Sequence, residues 1–137
     1  MPYELSWYVE ERIVYGRIWG NINIDTVYSA SDDLIKYLGL GKPLVHLFLD
    51  DSRVTAFPSN FYAVRGAATF LTHESLGWSV MVGETNFIRQ FILPMVTSVA
   101  RVRYRRYHTF DEGLAFLKEQ DQSINWAEAN QKVVVVE

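Results

Sequence analysis

Two adjacent carboxylates and two hydroxyls, Asp50-Asp51-Ser52 and Ser59, are the residues of this chain best equipped for chemistry. Paired carboxylates are the groups that bind metals or move protons. Here they are next to one another at the end of an apolar run, Leu44 to Leu49. Neighbouring side chains leaving a strand point in different directions, and no third ligand lies nearby in the sequence. The expectation is therefore a solvated turn, since Asp and Ser side chains compete for backbone hydrogen bonds. His46, His73 and His108 lie far apart, and none falls in an H-x-x-x-H or H-E-x-x-H spacing. Gly39-Leu-Gly41-Lys42 lacks the spacing of a phosphate loop and precedes a strand rather than a helix. No G-x-S-x-G nucleophile turn occurs. These readings predict no catalytic residue, no metal and no cofactor. They predict a non-enzymatic domain.

The second chemical feature is basic. Arg101, Arg103, Arg105 and Arg106 form the one dense charge cluster. On a strand, Arg101, Arg103 and Arg105 share one face and Val102 and Tyr104 the other. A second strand sends Tyr15, Arg17 and Trp19 to one face. If all the helices cover only one side of the sheet, the other side stays open. A face mixing Arg, Tyr and Trp is then a contact surface, because those residues are enriched at interface hot spots. The competing reading is a solvated strand whose Arg stems cover apolar sheet.

The elements that must hold these groups follow from periodicity and capping. Alternation predicts a strand over 3–10 and a second over Ile13–Trp19, joined as an antiparallel hairpin. Asn23 or Asp25 caps a helix running to about Leu38, ended by Gly39 and Gly41. Leu44–Leu49 is the third strand. A short apolar patch, Val54 to Phe57, precedes Pro58-Ser59-Asn60, which opens a helix from about Ser59 to Phe70. Trp78–Val82 is a strand buried on both faces. Asn86 caps a helix from Phe87 to Val99, apolar over more than one face and interrupted by Pro94. Val102–Tyr107 is the fifth strand. Thr109 with Glu112 fits a capping box for a last helix to about Gln120. Helices between successive strands imply parallel pairing.

The chain has 137 residues, 49% of them hydrophobic and 15% aromatic, enough for one folded domain. Its net charge of −3 argues against general nucleic-acid binding. The absence of cysteine excludes disulfides and thiolate chemistry and fits a cytoplasmic location. No stretch approaches the roughly 18–20 apolar residues of a membrane span. Val133-Val134-Val135-Val136 has high strand propensity. It is expected to add a strand to a sheet edge, its own or a second copy's, giving a homodimer. The domain proper is expected over 1–120, with 121–137 as a C-terminal tail.

A strand ending in Asp50, with Ser59 nine residues later on a helix N-terminus, resembles the core of the STAS domain. This is the fold of anti-sigma-factor antagonists. The ββαβαβαβα order over residues 3–120 is similar too. The resemblance implies an α/β fold with a mixed, mostly parallel five-stranded sheet, SpoIIAA-like, that binds a protein partner. It also implies Ser59 as a kinase switch, although the family's Asp before that Ser is Pro58 here. A phosphate on Ser59 would add roughly −1.5 to −2 charges to a recognition surface; the alternative is a plain N-cap. Expected partner contacts are Asp50, Asp51, Ser52, Asn60, Arg101, Arg103 and Arg105. The same topology resembles the lipid-binding CRAL-TRIO (Sec14-like) domains, which makes a lipid or other apolar small molecule the second expectation.

Overall fold

The protein is described by a computed structural model covering residues 2–83 and 103–134. The expected helix over 87–99, Arg101, and the tail beyond Val134 lie outside the described residues. Five strands form one sheet in sequential order: β1 (Tyr3–Val9), β2 (Ile13–Asn21), β3 (Val45–Ala56), β4 (Leu76–Val82) and β5 (Arg103–Tyr107). β1 pairs antiparallel with β2, and every later pairing is parallel. The fold is thus α/β with a five-stranded mixed sheet, as the alternation of patterns implied.

Three helices are described. α1 (Ile24–Leu40) is capped by the Asn23 side chain, which accepts from the Thr26 amide. Gly41 ends it, its N–H donating to the Tyr37 carbonyl. α2 (Phe61–Ala67) is shorter than its apolar stripe suggested, and a 3-10 turn, Thr69–Thr72, follows it. Its cap is Asn60, which accepts from the Ala63 amide. Ser59 therefore sits one residue before the cap, exposed. α3 (Phe110–Gln120) begins with the expected capping box: the Thr109 hydroxyl accepts from the Glu112 amide and donates to its carboxylate.

Strand alternation sorts the core into two layers. Val14, Val45 and Leu47 point to one face, where Leu34 and Leu38 of α1 meet them. The 3-10 turn after α2 joins this layer through Phe70 and Leu71. Ile13, Tyr15, Phe48, Val80 and Val82 point to the other face, where Leu117 of α3 and Ile124 cover them. The helices thus lie on both faces, and the open sheet face expected from a one-sided arrangement is largely closed. Right-handed crossovers constrain only helices that join parallel strands. α3 follows the last strand and is free of that rule. The apolar surface of Phe48, Val80 and Trp78 determines its place.

The segment after α3 also lies on this face. Trp126, Val133 and Val134 pack against the same core, and the Asn130 N–H donates 2.7 Å to the Tyr8 carbonyl. Val133 ends a 3-10 turn, Gln131–Val133, rather than beginning a strand. Tail packing onto this face competes with strand addition and takes the apolar side chains at 133 and 134.

A buried latch fixes where this segment departs. His46, 2% exposed at the start of β3, accepts the Trp78 N–H at Nδ1 and donates from Nε2 to Asp121 at 2.8 Å. The same carboxylate receives Arg12 at 2.9 Å, and Arg12 also reaches the Ser123 hydroxyl. Burial lowers the His46 pKa despite the Asp121 partner. Asp121 loses some solvation, but its bonds to Ser123 and His46 outweigh that and hold it down at about 2. Gly77 is required here, because a Cβ at that position would collide with the imidazole ring.

Candidate functional site

β3 does not break at Asp50-Asp51-Ser52; it bulges there and continues to Ala56. Arg17 of β2 stands opposite Asp50, and Trp19 stands opposite Arg53. One residue of β2 therefore faces two of β3, Asp51 and Ser52, which is the arrangement of a β-bulge. The Asp50 carboxylate stabilises it locally, accepting from the Ser52 amide at 2.9 Å and the Ser52 hydroxyl at 2.6 Å. This is the Asx-type bonding that the sequence suggested for a turn, made within a strand instead.

The bulge reverses the alternation. Before it, even-numbered residues of β3 face α3, as His46 and Phe48 do. After it, Arg53 and Thr55 take that face, and Val54 turns to the opposite core. Asp50, Ser52, Arg53 and Thr55 thus all reach one surface.

That surface is an open groove of about 860 Å³ at the carboxyl ends of β2, β3 and β4. Tyr15 forms its floor, with Arg17 and Trp19 beyond it on β2 and Val82 on β4. His108, Thr109 and Phe110 at the start of α3 close one side. The Arg17 guanidinium lies 5.4 Å from the centroid of the Trp19 ring and pairs with Glu4 at 3.0 Å. Gly83 adjoins the site with φ +137°, a conformation other residues rarely adopt, and a Cβ there would press on Asp51 and Ser52.

Asp51 faces the other way. It is 0% exposed and receives both terminal nitrogens of Arg106, at 2.8 and 2.7 Å. Arg106 also donates to the Tyr104 hydroxyl and the Gly83 carbonyl. Burial opposes the guanidinium charge, and the Asp51 carboxylate overcomes it, so Arg106 titrates above its ordinary range. Asp51 is a corrected expectation: it is neither solvated nor placed to touch a partner. It ties β3 to β5 across β4.

The expected contact residues separate in space. Asp50 and Ser52 line the groove. Ser59 and Asn60 lie on the connection from β3 to α2, outside it. Arg103 and Arg105 are exposed on β5, and Arg105 lies over Trp78 and Phe116 at 5.1 and 5.8 Å. That is the stem-covering role of a strand arginine. Arg53, Thr55, His108 and Thr109 are groove residues the sequence did not single out. Alternation in the sequence does not mark the bulge, because apolar residues occupy 44, 45, 47, 48 and 49 and so fall on both faces of the strand.

Compared with protein-family models, curated proteins and solved structures, the chain matches none.

Proposed function

We propose that this chain is a non-enzymatic regulatory or protein-interaction domain of the STAS/SpoIIAA-like kind, with Ser59 as a candidate switch. Its partner docks on the groove rim formed by Arg17, Trp19, Asp50, Ser52 and Arg53. The observation that carries this reading is the bulge. It sets Arg53 beside Trp19 at the mouth of an open groove, with Arg17 stacked on the same indole. Arg and Trp are the residue types that dominate interface energetics. The rim carries both signs, Arg17 with its partner Glu4 and Arg53 near Asp50, so a polar partner surface of mixed charge suits it.

The second reading, an apolar ligand, has one observation in its favour. A wholly apolar void lies between α1, α2 and the sheet, lined by Leu34, Leu49, Val64, Phe70 and Met81 among others. Its volume is about 110 Å³, against the roughly 300–1,000 Å³ usual for ligand pockets. It supports that reading less strongly.

Immobilised wild type, Trp19→Ala and Arg53→Glu, each exposed to native lysate, test the proposal, with bound proteins and lipids both identified. The reading expects a protein retained by the wild type and lost from both variants. A protein held equally by all three moves the interface off the groove. Lipid recovered stoichiometrically with no protein favours the apolar ligand instead.

A further inference from the structure

We propose that the floor of the groove binds a small oxyanion-bearing molecule, a phosphate or carboxylate with a hydroxyl or amine beside it. The key observation is Tyr15. Its side chain is 3% exposed, with its ring packed against Phe48 and Phe110, yet it lines the groove. Its ring is buried, while its hydroxyl, which makes no hydrogen bond among the described residues, opens on the groove. Burial, then the nearby Asp50 carboxylate, raises its pKa to about 12, so at neutral pH it is a protonated donor. A donor held in place by a packed ring and opening on the base of the groove suits an acceptor oxygen.

The surroundings specify that acceptor. Arg17, which lines the groove two residues along β2 while paired with Glu4 through one nitrogen, adds a guanidinium near it. α3 begins at the groove wall, and the first amides of a helix have no intrahelical partners and favour an anion. Asp111 and Glu112 in its first turn do not line the groove, and Glu112 is turned to the Thr109 hydroxyl. Asp50 supplies the opposite demand: a carboxylate in the groove wall accepts from a ligand hydroxyl or amine. The volume of about 860 Å³ lies within the ordinary ligand range. The carboxyl ends of parallel strands are where open α/β sheets take their ligands.

The site shares Arg17 and Asp50 with the rim but needs no protein docked there. Its test uses the purified full chain without any partner, so failure of either proposal is read separately. Amide and indole NMR signals are followed while sodium phosphate, glycerol 3-phosphate or malate is added, beside sodium chloride at matched ionic strength. Saturable shifts are expected at the Trp19 indole and the Thr109 and Phe110 amides. Response to the phosphates alone identifies a phosphate ligand, and response to malate alone a carboxylate. Tyr15→Phe keeps the ring packing and removes only the unpaired hydroxyl. It should melt like the wild type and bind about tenfold more weakly or worse. Should that variant misfold, Arg17→Gln takes its place, with the same weakening expected. The proposal is overturned if no probe exceeds chloride, or if the folded variant binds as well as the wild type.

Discussion

Asp50 and Asp51 are neighbours in the chain with opposite fates, and the difference rests on which face each occupies. Asp50 stays half-buried at the groove and bonds Ser52, two residues on. Asp51 enters the opposite core, where an unpaired carboxylate would be intolerable, and Arg106 meets it with both nitrogens. Nothing in a single sequence couples positions 51 and 106. The pair reads instead as a polar turn and as one member of an arginine cluster. Asp51→Ala leaves the Arg106 charge uncompensated and should cost about 3–5 kcal/mol, by urea denaturation. A loss below about 1 kcal/mol would show that the pair is not buried as described. Ser59 is the contrasting case, exposed and one residue outside the Asn60 cap. Ser59→Asp should leave the melting curve within about ±0.5 kcal/mol of wild type. If Ser59 is the switch, the variant's affinity for a partner captured as above must change. Unchanged affinity removes the switch.

At the scale of elements, periodicity and caps were legible, and strand ends were not. Asn23 and Thr109 cap the helices expected of them. β3 runs seven residues past Leu49, because pairing with β2 continues to Ala56 and outweighs the turn preference of Asp-Asp-Ser. The groove depends on that extension, so Arg53 and Thr55 were hidden until the strand was seen whole. The latch that holds β3 to the segment after α3 was hidden for another reason: His46, Arg12 and Asp121 come from three distant parts of the chain. It carries a pH prediction. The folded pKa of His46 lies below 6.5, so below pH 6.5 the unfolded chain takes up a proton that the folded chain refuses. Its contribution is therefore intact above pH 6.5 and is lost as pH falls below that. Asp121 acts in the same direction lower down: its contribution is present above 3.8 and lost as pH falls through about 2. Urea midpoints should drop between pH 7 and 5, and His46→Gln should flatten that slope. An equal slope in both proteins would assign the effect to other groups.

For the whole molecule, α3 and the segment after it close one face of the sheet, and that packing bears on whether a second copy takes part. The sequence leads us to expect residues 133–136 as a strand added to a sheet edge, its own or a second copy's. Apolar demand places its described part elsewhere. Ile124 is 5% exposed in the core with Tyr8, Phe48 and Leu117, and Trp126 packs beside it. Lys118 holds the outer side of that indole at 5.8 Å. The Gln131 amide donates to the Tyr8 hydroxyl, and the Asn130 N–H to the Tyr8 carbonyl, so the segment also secures the edge strand β1. Removing it should therefore act first on stability. Burying a side chain the size of isoleucine contributes about 1.5–3 kcal/mol, before the exposed Tyr8 and Leu117 are counted. Truncation after Gln122 should lower stability by at least about 2 kcal/mol in urea and expose an apolar face that promotes non-specific association. A truncated chain as stable as the full one would mean that this segment does not pack on its own domain. Light scattering of the full-length chain then addresses the homodimer. A tail that joins two copies requires a dimer whose dissociation follows truncation, whereas a tail that seals its own core requires only a less stable monomer.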